Sequence, residues 1–215
     1  MQLKLLQPAD YRAVPWKNGQ GVTREIAARR SDEDVRSGRF TWRLSIAEVA
    51  TSSPFSAFPG VDRIILLLEG DGMMLDSGAA GRHKLNHRLQ PYAFSGNWST
   101  DCRLLGGPCR DFNVMVDRER ARASVTVVTA AADPCAVPVT GHTAAVYCVE
   151  GSILVAGEDL PPTGHEVPAG HTLLIETAGS LTSSYQLTLR SQLSAAAALV
   201  VGFAGRGPDG AALSG

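Results

Sequence analysis

Apolar and polar residues alternate with a period of two along most of this chain, the spacing of half-buried β-strands rather than helices. The runs "GVTREIAA", "RFTWRLSIAEVA", "DRIILLLEG", "GMMLDSG", "DCRLLGG" and "DFNVMVDR" show it in the first half. "ASVTVVTA", "TAAVYCVEG", "SILVAGE", "HTLLIETA", "SYQLTLR" and "AAALVVGFA" continue it in the second. Gly, Pro, Asp and Ser break these runs at intervals of about ten residues, which predicts an all-β sandwich or barrel. Helical periodicity is scarce. Only "PADYRAV", with Pro8 at its start, suggests one short turn or helix.

Two stretches repeat in kind. "LLLEGDGMML" and "YCVEGSILVA" are each an apolar strand ending in Glu-Gly, a tight turn and a second apolar strand. Downstream, "RLQPYAF" parallels "HEVPAGHTLLI", where a proline turn restarts a strand. A fused pair of β units follows: residues 1–118 as a first half, 119–205 as a second, degenerate half, with the seam in "DRERARAS" and 206–215 as a disordered tail. The 215 residues carry 20 Lys and Arg against 21 Asp and Glu, so composition supplies no electrostatic reason to expect nucleic acid or an anionic membrane as partner. No apolar run has membrane-helix length and the start lacks a signal-peptide pattern, so a cytoplasmic setting is expected. Cys102, Cys109, Cys135 and Cys148 form no C-x-x-C pair and read as reduced and mostly buried.

The order strand, Glu-Gly, strand, "VPAGH", strand resembles the cupin barrels, so the expected fold is a double cupin (bicupin) of two β-sandwich or barrel halves. Many cupins hold a metal with two histidines, a glutamate and a later histidine. Here Phe58, Pro59 and Gly60 stand where the first histidines would be, and the matching stretch of the second half, "PVTGHTAAVYCVEG", offers only His142. His83 and His87 are four apart, but in a segment that reads as loop and short strand. Neither metal nor any other cofactor is expected.

Strand faces carry the remaining chemistry. Arg43, Ser45 and Ala47 oppose Trp42, Leu44 and Ile46; Asp111, Asn113 and Met115 oppose Phe112, Val114 and Val116; Thr23 and Glu25 oppose Val22 and Arg24. The polar faces lack the long hydrated side chains of an outer sheet surface. They suit either a semi-buried pocket wall or a polar lattice in which Arg43 pairs with Glu25 or Asp111.

The segments "PWKNGQGVTREIA", "WRLSIAEVATSSPFSAFPGVDRIILLLEGDGM" and "GPCRDFNVMVDR" together resemble the HutD/Ves family closely over about the first 120 residues, with Gln20 standing where the family has a glycine. The resemblance implies a role in bacterial histidine utilisation, by binding a small carboxylate metabolite of the formylglutamate, formiminoglutamate or urocanate class. Ves-type relatives are instead stress-associated. For such a ligand the candidate contacts are Trp16, Lys17, Asn18, Glu25, Trp42, Arg43, Ser45, Arg63, Asp111 and Asn113, with the Trp16–Asn18 segment as a flap. The bland alternative has Trp16 capping the barrel end and Lys17 in solvent. Two other readings stand beside ligand binding: a metal-independent isomerase, lyase or hydrolase with Glu25 or Asp111 as general base, and a protein-binding module whose strand edges form a homodimer.

Overall fold

The computed structural model describes residues 1–16, 21–158, 160–161, 163–177, 184–191 and 195–206. These form two compact units, Tyr11–Glu119 and Met1–Asp10 together with the chain from Arg120 onward. The sequence reading assigns residues 1–10 to the first half. Strand β1 (Gln2–Leu6) instead pairs antiparallel with a strand of the other unit, and a 3-10 turn at Pro8–Asp10 follows it.

In the Tyr11–Glu119 unit, one sheet has six strands in the order β2 (Arg12–Pro15), β3 (Gly21–Arg29), β4 (Trp42–Val49), β11 (Cys109–Asp117), β6 (Val61–Glu69) and β9 (Tyr92–Ser95). A second has four, β5 (Ser53–Phe55), β10 (Thr100–Leu104), β7 (Met73–Asp76) and β8 (Arg82–Leu85). Val49, Ile65, Leu67, Met73, Leu75, Leu85 and Cys102 come from both sheets and join in one apolar cluster. Helix α1 (Asp32–Ser37) bridges β3 and β4. No hydrophobic period announces it; it rests on a capping box between Ser31 and Asp34 and a left-handed Gly38 at its end.

The other unit repeats the plan. Its sheets run β1, β17 (Thr172–Glu176), β14 (Thr143–Glu150), β19 (Ala196–Gly205), β12 (Ala121–Ala130), and β13 (Cys135–Thr140), β18 (Ser184–Ser191), β15 (Ser152–Gly157), β16 (His165–Pro168). The central pairs β11–β6 and β19–β14 even share a register irregularity at the Glu-Gly end, opposite Glu69 and Glu150. No helix among the described residues is long and apolar enough to cross a membrane.

The turn after Glu69-Gly70, between β6 and β7, needs a second glycine, Gly72. Gly72 has φ +89°, and a Cβ on it would collide with the Leu85 carbonyl oxygen. Gly78, at φ +60°, faces open space. We therefore expect Gly72→Ala to lower stability by roughly 1–3 kcal/mol or more in urea unfolding, and Gly78→Ala to cost distinctly less. Equal costs would show that the close approach at Gly72 does not constrain the turn.

Candidate functional site

The six-stranded sheet does not bury only hydrocarbon. On β6, Arg63 is buried, with its side chain on the same face as Ile65 and Leu67. Its guanidinium donates through Nη2 to Asn113 Oδ1 at 2.8 Å. An arginine only donates, so Asn113 must accept on its oxygen and turn its NH2 elsewhere. That NH2 donates to Asp111 Oδ1, two residues along β11. The result is a polarised relay, Arg63 to Asn113 to Asp111. Phe94, Phe55 and Phe58 box the guanidinium, with ring centroids 4.7, 5.2 and 5.8 Å from its carbon. Phe94 reaches it as the direct cross-strand partner of Arg63. These faces favour the cation without supplying an acceptor.

Burial sets the titration of both ends. It pulls Arg63 down to about 10, opposed by the Asp111 charge and assisted by Arg43. It pushes the Asp111 carboxyl up to about 7, against the lowering influence of Arg63 and the Asn113 hydrogen bond. Arg63 Nε and Asp111 Oδ2 are buried with no hydrogen-bond partner.

Beside the relay lies a cavity of about 420 Å³, within the usual range for a small-molecule site. Arg63, Asp111, Asn113 and Met115 line it from β6 and β11; Arg43, Ser45 and Ala47 line it from β4. Phe55 and Phe58 form one wall and Trp16 with Thr23 another. Trp16 is held by its Nε1, which donates to Thr23 Oγ1 at 2.9 Å, and by its backbone N, which donates to the Gly21 carbonyl. Gly21 must be small, since a Cβ there would press on the Trp16 ring and on the Glu48 carbonyl oxygen.

Arg43 is tied down from behind. Its Nε lies 2.9 Å from Glu25 Oε2, while Arg30 grips the same carboxylate with two hydrogen bonds of 3.0 and 2.7 Å, and Arg12 approaches at 3.3 Å. Burial alone would raise the Glu25 pKa, but the Arg30 hydrogen bonds and the three positive charges hold it below the ordinary value. On the cavity lining, then, two guanidiniums, Arg43 and Arg63, stand with one carboxyl, Asp111.

The structure brings Trp16, Arg43, Ser45, Arg63, Asp111 and Asn113 together on one cavity. It does not bring Trp42 there. Trp42 is buried on the opposite face of β4, because side chains alternate and it precedes Arg43 by one. Glu25 is not on the lining either; its carboxylate is consumed by arginines. Lys17 and Asn18, the proposed flap, lie outside the described residues. Phe55, Phe58, Phe94, Arg12 and Arg30 escape sequence reasoning. Their signal is indirect: a buried arginine on a strand requires a box and a counter-charge, which "SPFSAFPG" and the register partner of Arg63 supply. Among the described residues, no three His, Cys, Asp or Glu side chains gather to hold a metal ion. His83 instead stacks flat on Tyr92, centroids 3.6 Å apart.

The second unit is an internal comparison. Aligning Glu69 with Glu150 through the shared irregularity sets Ala144 where Arg63 is, Ala198 where Asp111 is and Val200 where Asn113 is. All three lie in a continuous apolar core. The fold therefore does not require the relay.

Among known proteins, the family described as HutD matches residues 8–196. An uncharacterized 21.2 kDa protein in the hutC 3' region of Pseudomonas putida is 47% identical over 123 residues, covering 57% of this chain and 62% of that protein. Protein Ves of Cronobacter sakazakii is 42% identical over 122 residues, covering 55% of this chain and 64% of its own length. The chain thus spans less than two thirds of the length of these curated relatives. In three dimensions it is similar to HutD from Pseudomonas fluorescens SBW25, solved in a formate condition, with a TM-score of 0.79, 28% identity and coverage of 96% of this chain and 100% of that one. A cupin 2 barrel protein of Leptotrichia buccalis aligns with a TM-score of 0.52 at 9% identity over 87% of this chain and 91% of its own, a likeness of fold alone. With an all-β double cupin architecture and a family match across most of its length, the chain belongs to the HutD family.

Proposed function

We propose that the Tyr11–Glu119 unit binds a small carboxylate metabolite in the Arg63 cavity, without a metal, and that this binding modulates bacterial histidine utilisation. The observation that carries the reading is the relay: the fold builds the same interior from apolar side chains in its other unit, yet here holds a guanidinium, an amide and a carboxyl in that place. Burying such groups costs free energy, so their presence calls for a function that uses them. The excess of guanidinium over carboxylate around the cavity favours an anion, and the aromatic walls favour one with an apolar or planar body. The HutD match, and a relative from the hutC region, support the histidine-utilisation setting.

The chemistry is reversible capture. Arg43 is preset by Glu25 and Arg63 by its aromatic box, so neither guanidinium has to be ordered when ligand arrives. Ser45 and Asn113 add hydrogen-bonding groups on the same lining. Isothermal titration with formylglutamate, formiminoglutamate, urocanate, glutamate and pyroglutamate tests this. We expect saturable binding, millimolar or tighter, for at least one. Arg63→Lys should weaken it at least about tenfold, because the charge remains but the planar donor fork is lost. No binding by any of the five would overturn the reading, and product formation in excess of protein would replace it with an enzymatic one.

A further inference from the structure

We propose that Asp111 is a ligand-contacting acid: when a carboxylate fills the cavity, Asp111 takes one proton from solution and donates it, as a hydrogen bond from Oδ2, to that carboxylate. The inference rests on the carboxylate reading above and goes further, because it makes binding a proton-linked event.

The relay dictates it. Asp111 Oδ1 is occupied by the Asn113 NH2, whose direction is fixed by Arg63, so Oδ2 is the only oxygen left for the cavity. An incoming carboxylate that engages Arg63 enters the cavity that Asp111 also lines, and Oδ2 is the acceptor left there to meet it. Two ionised carboxylates sharing one buried guanidinium repel each other, and neither can satisfy the other. One proton placed on Oδ2 removes the repulsion and converts two opposed acceptors into a donor and an acceptor. The carboxylate stays an anion on Arg63, and the O–H bond formed on Asp111 is the only covalent change.

The surroundings of Asp111 leave it as the group that responds. From β6 it faces Arg63; Arg43 of β4 lines the same cavity but is already claimed by Glu25 of β3. Cys102 of β10 and Cys109 of its own strand are the other titratable neighbours, and burial pushes both thiols up to about 12, so they stay neutral. Glu25 is held ionised by its arginines well below neutral pH. His83 is not on the lining; it stacks on Tyr92, and burial lowers its proton affinity. Asp111 itself, raised to about 7 in the empty cavity, is poised to change state under a modest added negative charge.

Formate is the informative probe, since it brings no N–H or O–H of its own. Its affinity is read by thermal shift or calorimetry against chloride at equal ionic strength, from pH 6.0 to 9. For one proton taken up, affinity should fall about tenfold per pH unit above about 7. Calorimetry in phosphate and in Tris should report uptake approaching one proton per formate at pH 8.5. Asp111→Asn places an NH2 where the acid's O–H would be. It should bind formate at pH 8.5 about as tightly as the native protein does at pH 6, with no pH slope. A flat profile in the native protein, or a slope that persists in Asp111→Asn, overturns the proposal while leaving carboxylate binding intact. Absence of formate binding at both pH 6 and pH 8.5 removes the carboxylate reading and this inference with it.

Ligand-free stability gives a second readout. The folded-state pKa of Asp111 lies above its usual 3.8, so between those values the folded protein holds a proton the unfolded chain has lost. Stability from this group is present below about pH 4 and is lost as pH rises through about 7. Asp111→Asn should accordingly gain stability relative to the native protein across that window in urea unfolding, and the gain should level off above it. A difference independent of pH would show that Asp111 does not hold a proton in the fold.

Discussion

A guanidinium enclosed in an apolar sandwich is the constraint from which the rest of the Tyr11–Glu119 unit can be understood. Arg63 cannot shed its proton near neutral pH even with its affinity drawn down to about 10, so the surrounding chain must accommodate a charge. It does so in two ways that differ in kind. Phe55, Phe58 and Phe94 present ring faces, which stabilise the cation without hydrogen bonding. Asp111 supplies the opposite charge, but through Asn113 and not by a direct contact. The spacer separates the charges, so part of the Arg63 donor set and one Asp111 oxygen remain uncommitted. A direct Arg63–Asp111 fork would have been a better salt bridge and a poorer site.

The duplicated fold shows that this arrangement was not imposed by architecture. Both units use the same strand order and the same irregularity next to the Glu-Gly turn. In one, the inward positions of the central pair carry Ala144, Val200 and Ala198 and the interior closes on itself. In the other, the same three positions carry Arg63, Asn113 and Asp111, and a cavity stands beside them. The apolar copy is what hydrophobic burial alone produces; the polar copy departs from it at the positions where a ligand would be read.

The central strands were legible in the sequence because their apolar periodicity is strong and clear turn signals bound it. Five strands not read from the pattern, β1, β2, β5, β13 and β16, and two read only as a short strand (β8) or a restart after proline (β9), are all edge strands. Edge strands are short, carry charge or proline (Pro15, Pro54, Pro138, Pro168) and pair on one side only, so the devices that protect them from misassociation also hide their pattern. β1 adds a long-range pairing that no local signal announces. The face-splitting of β4 and β11 put Arg43, Ser45, Asp111 and Asn113 on a common side because alternation is a local rule. Trp42 was assigned by its chemistry against that same rule, and the structure sets it on the far face. Whether Glu25 or Asp111 would partner Arg43 was beyond alternation, since it depends on diagonal reach across β3 and on Arg30 arriving from beyond the strand end.

Those two carboxylates end up in opposite electrostatic situations, and the difference organises the cavity. Glu25 is surrounded by Arg12, Arg30 and Arg43, so its charge is overcompensated and it stays ionised. Asp111 has one guanidinium, reached through an amide, and is fully buried, so its ionisation is expensive. Glu25 therefore acts as a fixed charge that orients Arg43, while Asp111 is a charge that can be withdrawn. With Asp111 permanently ionised as well, the lining would offer an anion an unrelieved repulsion beside Arg63. With both neutral, Arg43 would lose its anchor. Pairing one pinned carboxylate with one adjustable one keeps the donor geometry rigid and lets the local charge follow the guest.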